Sequence, residues 1–140
     1  MKEIITLSEE ETKKVAKNIA SKINNTSVIV LNGELGAGKT KFTEGFLSYF
    51  GLENEISSPT FTIVNEYKNE KIAIYHFDVY RLSDVDEFYA IGGDEYFSKG
   101  ICIIEWGELI KEALPEHYTA ITIRKDDEDI EKRILCIEEK

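Results

Sequence analysis

Residues 27–40 read SVIVLNGELGAGKT, an apolar, β-branched run that breaks off into a glycine-rich turn. The run lacks polar alternation, as expected of a parallel strand covered on both faces. Glycines then recur at fixed intervals, G-x-x-x-x-G-K-T from Gly33 to Thr40. Over 38–50, Phe42, Phe46, Leu47 and Phe50 repeat at helical spacing, and Gly51 supplies a helix stop. Strand, glycine loop and helix in that order are the setting in which this spacing cradles phosphate. Positions without side chains let backbone amides converge at the helix N-terminus, where the dipole also favours an anion. Gly33, Glu34, Leu35, Gly36, Ala37, Gly38, Lys39 and Thr40 are therefore the expected nucleotide-binding residues. Lys39 would reach the outer phosphates, and the Thr40 hydroxyl would ligate Mg²⁺.

Outward from this unit, Ser8 and Glu11 form a capping box before a helix with Val15, Ala16, Ile19, Ala20 and Ile23 on one face. FTIVNEY and KIAIYHFDVY read as strands joined by KNEK. Ser83 is placed to cap a short helix through Ala90, which Gly92-Gly93 breaks. ICIIEW is a further buried strand, and GELIKEAL a short helix stopped near Pro115. YTAITIRK and EKRILCIEE close a hairpin around DDED. The pattern predicts an α/β, P-loop NTPase-like three-layer domain over 1–140. Its parallel core sheet would carry antiparallel additions and a C-terminal β-hairpin.

A chain of 140 residues with 42% apolar content can bury a real core in one domain. The N-terminus is charged where a signal peptide would be apolar, and no run approaches a membrane span. A cytoplasmic protein is expected. The formal charge of -10 disfavours direct contact with a polyanion such as RNA, although a phosphate loop attracts anions locally. Cys102 and Cys136 sit in apolar, strand-like runs and read as buried small hydrophobes. No CxxC or HxxxH spacing supports zinc.

A phosphate loop also needs an acid at the end of a neighbouring buried strand, to hold the metal or its waters. Asp78 ends AIYHFD and Glu105 ends ICIIE. Four apolar residues before the acid make Glu105 the better fit. In SSPTFT, Thr60 is placed to sense a terminal phosphate as a switch hydroxyl does. His76 lies inside a strand and reads as a structural histidine with its hydrogen bonds satisfied. Arg81 could face a transferred phosphate or pair with Asp78, and for Trp106 a place in the core is preferred to stacking. The N-K-x-D and D-x-x-G motifs of GTPases are absent, and three scattered arginines do not make the lid of a small-molecule kinase. What remains is a small ATPase or an ATP-dependent switch with room for completion by a partner.

GELGAGKTKF, SSPTFTIVNEY, YHFDVYRL, IGGDEYF and ICIIEWGE, in this order and spacing, resemble the TsaE (YjeE) family. These are small bacterial ATPases of the pathway that makes threonylcarbamoyladenosine in tRNA, and the resemblance spans nearly the whole chain. It implies binding of ATP with Mg²⁺, slow hydrolysis alone, and stimulation by a TsaB–TsaD heterodimer whose TsaD modifies the tRNA. Contact with tRNA would then be indirect. Position by position, it implies catalytic roles for Lys39, Thr60, Asp78 and Glu105, with Thr40 and Glu105 at the metal. It adds Trp106 and Glu108 to the nucleotide site. At the loosely aligned ends it adds Glu9 and Arg133, beside a base pocket between the N-terminal segment and the C-terminal hairpin. Gly107 stands where the family frequently has proline, which bears on Glu108. Two other readings compete: a binding switch whose hydrolysis is incidental, and a small phosphotransferase, disfavoured by the missing arginine lid.

Overall fold

The structure, a computed structural model, describes residues 1–34, 36–55 and 63–140. Seven strands are present among them: β1 Lys2–Thr6, β2 Val28–Gly33, β3 Val64–Lys68, β4 Ala73–Asp78, β5 Ile101–Glu105, β6 Thr119–Lys125 and β7 Arg133–Glu139. They form one sheet in the order β1-β7-β6-β2-β5-β4-β3. β6, β2, β5 and β4 are mutually parallel, while β3, β7 and β1 add antiparallel at the two sides. The expected α/β architecture, with a parallel core and a closing hairpin, is the observed one.

Helix α1 (Glu9–Lys22) begins as the capping box requires: the Ser8 hydroxyl accepts from the Glu11 amide at 3.2 Å. Glu11 reaches back to the amide of Leu7, at 3.0 Å, one residue earlier than the motif's usual partner. Helix α2 (Lys39–Tyr49) follows the glycine loop, and α3 (Val85–Ala90) lies after β4. Side chains alternate across each strand. Ile29 and Leu31 of β2, Ile74 of β4 and Ile101 and Ile103 of β5 pack with Ala16 and Ala20 of α1 and Phe42, Phe46 and Leu47 of α2. Val28, Phe77, Cys102 and Ile104 face the other way, against Phe88 of α3 and Ile110. One consequence positions the site. Continuing the alternation, His76 and Asp78 of β4 and Glu105 of β5 belong to the α2 face, and Asp78 pairs with Glu105 in register.

Three local readings change. The strand β1 is an addition to the sequence pattern, because KEIIT is short and its partner β7 is supplied by the far end of the chain. The α3 cap is Asp84, whose side chain accepts from the Glu87 amide; Ser83 instead donates its hydroxyl to the Glu87 carboxylate. The short helix expected over GELIKEAL takes the 3₁₀ form, Gly107–Ala113, with a kink at Ile110.

Cys102 is buried as expected, but Cys136 is only half-buried, on β7 opposite Glu3 of the edge strand. Burial pushes the Cys102 thiol up to about 12, so it holds its proton at neutral pH. Since the thiolate is the nucleophile, the folded chain should take up one equivalent of iodoacetamide at Cys136. Cys102 should react at least ~100-fold more slowly until the chain is unfolded. Mass spectrometry of the alkylated peptides reads both. Equal rates in the folded state would contradict this burial.

Candidate functional site

The glycine loop leaves β2 at Gly33 and enters α2 at Lys39. Gly36 and Gly38 adopt φ of 80° and 107°, a region that side-chain-bearing residues rarely occupy. Gly38 is the N-cap of α2 and offers no side chain, so the first amides of the helix are not capped from within. The loop is held from outside by Arg133 at the start of β7. Its Nε donates to the Ala37 carbonyl at 2.9 Å, and a terminal nitrogen donates to the Gly36 carbonyl at 3.4 Å. Those carbonyls are thereby turned toward the hairpin.

The ends of β4 and β5 converge beside the loop. Lys39 extends to Glu105, with Nζ 3.4 Å from Oε1. The other oxygen of Glu105 accepts a hydrogen bond from Nε2 of His76 at 2.6 Å. Side-chain exposures of 14% for Lys39 and 15% for Glu105 place this pair at the floor of a cleft, well away from the open surface. Burial pushes the Glu105 carboxyl up, but the His76 hydrogen bond and the neighbouring Lys39 ammonium outweigh it. The group is held below the usual glutamate range and is ionised at neutral pH. Asp78 lines the same cleft while accepting from the Tyr80 amide at 3.1 Å.

The cleft has a volume of about 780 Å³, within the range of ordinary ligand sites. It extends from Gly36, Gly38, Lys39 and Thr40 past Asp78 and Glu105, and opens between the start of α1 and the turn before β7. Glu9, Trp106 and Arg133 line it, so the expected gap between N-terminal segment and C-terminal hairpin is present. Arg133, however, directs its guanidinium at loop and turn carbonyls. Glu34 and Glu108 do not line this cleft. They border a second hollow of about 240 Å³, with Lys39 and Trp106 between the two. Ala37 is fully buried behind the loop. Leu35 and Thr60 lie outside the described residues.

Trp106 is not a core residue. Its φ of 65° turns the ring outward, where it is 36% exposed, 5.0 Å from the Tyr80 ring and 5.2 Å from the Lys39 ammonium. Arg81 is exposed and forms no ion pair with Asp78 or any other acid among the described residues. Sequence reasoning missed two participants. His76 contacts Glu105, a relation that the two-residue spacing to Asp78 on one strand could have signalled. Lys125, at the end of β6, brings its ammonium beside Gly36, which no local pattern indicates. Lys39, Lys41, Lys125 and Arg133 thus gather positive charge around the loop of a strongly acidic chain.

The sequence and the fold have counterparts among known proteins. A family model described as threonylcarbamoyl adenosine biosynthesis protein TsaE matches residues 6–135. The chain belongs to the TsaE family. A Bacillus subtilis relative, named tRNA threonylcarbamoyladenosine biosynthesis protein TsaE, is 44% identical over 125 residues, covering 89% of this chain and 78% of its own. Proteins of the same name from Rickettsia bellii and Treponema pallidum are 41% and 38% identical. They cover 93% and 86% of this chain, and 90% and 89% of their own lengths. The crystal structure of Bacillus subtilis YdiB superposes with a TM-score of 0.75 at 38% identity, covering 96% of this chain and 82% of that one. Among the described residues, no helix is long and apolar enough to cross a membrane.

Proposed function

We propose that this TsaE-family chain binds ATP with Mg²⁺ in the cleft and hydrolyses it slowly. In this reading it serves the formation of threonylcarbamoyladenosine in tRNA through a TsaB–TsaD heterodimer and meets tRNA only indirectly. A cytoplasmic setting goes with that role. The observation that carries the proposal is the convergence of Lys39 and an ionised Glu105 at the mouth of an uncapped, glycine-cradled helix start.

The residues fit the ligands. Lys39 and the α2 amides would bind phosphate, while Lys125 and Arg133 add positive field. Thr40 and Glu105 supply a hydroxyl and a carboxylate on one cleft, an all-oxygen set suited to a hard cation. No group of three or more acidic, histidine or cysteine side chains forms a metal cage among the described residues. Mg²⁺ bound chiefly through nucleotide phosphates does not require one. When bound, the ion would neutralise phosphate charge. The chain's own part is to hold the phosphates, orient a water through Glu105 or Asp78, and restrict bulk solvent behind Trp106.

Phosphate release from ATP, with and without purified TsaB–TsaD, tests the reading. Wild type should release phosphate slowly and faster with the pair. Glu105→Gln should bind ATP within about threefold of wild type but hydrolyse it ~10²-fold more slowly, the usual effect of losing one charge-handling group. Undiminished hydrolysis by Glu105→Gln would refute its assignment. If Glu105→Gln still supported repeated tRNA modification, the chain would be a binding switch. Phosphate appearing on a second substrate would make it a kinase.

A further inference from the structure

His76 is a buried histidine that the nucleotide-binding motifs leave unexplained. It is 4% exposed, on the second-from-edge strand β4, and its Nε2 lies 2.6 Å from Glu105 Oε2. An ionised carboxylate only accepts hydrogen bonds, so Nε2 carries the hydrogen. The other ring nitrogen, Nδ1, is buried and has no hydrogen-bond partner among the described residues. That asymmetry separates two roles. A histidine kept for packing would have both nitrogens satisfied, or would be replaced by a leucine with no polar atom to bury. Here one nitrogen is left unsatisfied while the other makes a short bond to the acid at the cleft floor.

The two oxygens of Glu105 have different holders. Oε1 faces the Lys39 ammonium at 3.4 Å, on a flexible side chain that must move to reach a phosphate. Oε2 is held by a ring on a strand paired along both edges, which stays in place when Lys39 leaves. We infer that His76 is a positioning residue for hydrolysis: its Nε2–H fixes one oxygen of Glu105 so that the carboxylate presents the other to the cleft once Lys39 has moved to the nucleotide. This deepens the ATPase reading above and rests on it for its catalytic part.

The test compares His76→Leu and His76→Gln with wild type, the glutamine being able to donate from nearly the position of Nε2. His76→Leu should lower kcat for phosphate release about 10- to 100-fold and raise the half-saturating Mg²⁺ concentration, with KM for ATP within about twofold. His76→Gln should recover to within about threefold of wild type. A thermal midpoint for His76→Leu no lower than wild type would rule out misfolding as the cause. Wild-type kinetics in His76→Leu, or a glutamine no better than leucine in a folded chain, would overturn the inference. A readout independent of turnover is the ¹⁵N-histidine spectrum of the nucleotide-free chain. The His76 ring should show hydrogen on Nε2, with a shift that changes in Glu105→Gln. If wild type failed to hydrolyse ATP, the functional reading would fall, and this spectrum would decide whether His76 holds Glu105. A ring signal indifferent to Glu105→Gln would overturn the contact itself.

Discussion

Lys39→Ala should weaken ATP binding about 100-fold. A charge-assisted hydrogen bond is worth about 1.5–3 kcal/mol, and each 1.4 kcal/mol is tenfold in affinity, so losing two contacts at the lower end of that range gives roughly this factor. Stability should change little. The Lys39–Glu105 separation of 3.4 Å describes a loose pair, and Glu105 keeps its 2.6 Å bond from His76 when the lysine is gone. The expected loss is about 1 kcal/mol, because Lys39 and Glu105 both line the cleft and water can take the ammonium's place beside the carboxylate. Calorimetric titration with ATP and Mg²⁺ beside a thermal melt separates the two effects. An affinity equal to wild type would remove Lys39 from the phosphate site. A chain unfolded at room temperature would show that the pair is a structural element that happens to line the cleft.

The small stability cost and the large affinity cost have one origin. The ammonium lies between Glu105 and the Trp106 ring, 5.2 Å from its centroid. Nucleotide binding would exchange that setting for phosphate oxygens. The exchange is inexpensive because neither existing contact is short, and it releases the Glu105 oxygen that faces the cleft.

The glycine loop, both strand-end acids and the parallel core could be read from the sequence because each depends on neighbours within a few residues. Apolar runs identify β2 and β5, and the period of two puts an acid at each strand end on a definite face. What escaped the sequence depends on distant contacts or on one unusual dihedral. β1 exists because β7 offers an edge, a pairing that spans the whole chain. Lys125 reaches Gly36 only after β6 has packed beside β2. Trp106 would join Cys102 and Ile104 on the α3 side if ICIIEW continued as a regular strand. The positive φ at Trp106 breaks that alternation and delivers the ring to the site instead. His76 reads in the sequence as a satisfied structural residue because its partner lies on another strand. The register of β4 against β5 is needed to see the contact.

Substitution at Gly45 carries the largest expected effect on stability, and for Gly45→Ala its sign opposes simple helix propensity. Alanine in a helix interior is favoured over glycine by about 1 kcal/mol, so an exposed glycine would gain from the change. Gly45 is buried in the middle of α2, where that helix crosses α1, and a Cβ built there runs directly into the main chain of Lys13. Main chain cannot rotate aside as a side chain can. The helices must separate, which loosens Phe42, Phe46 and Ala16 in the same core. Overpacking of this kind costs up to about 3 kcal/mol or more, leaving a net loss near ~2 kcal/mol after the propensity gain. For a chain of this size that lowers the thermal midpoint by roughly 8 °C. Gly45→Val should lose more, since it adds both bulk and a β-branch. Gly51→Ala is the control: its φ is 75° with nothing within 4 Å of the added carbon among the described residues, so only backbone strain is at stake. That strain is worth about 1 kcal/mol. Circular-dichroism melts should show the greatest loss for Gly45→Val, a smaller one for Gly45→Ala and the least for Gly51→Ala. A Gly45→Ala chain more stable than wild type would mean that α1 and α2 do not approach as closely as this structure has them. The base of the glycine loop would then need to be redrawn with them.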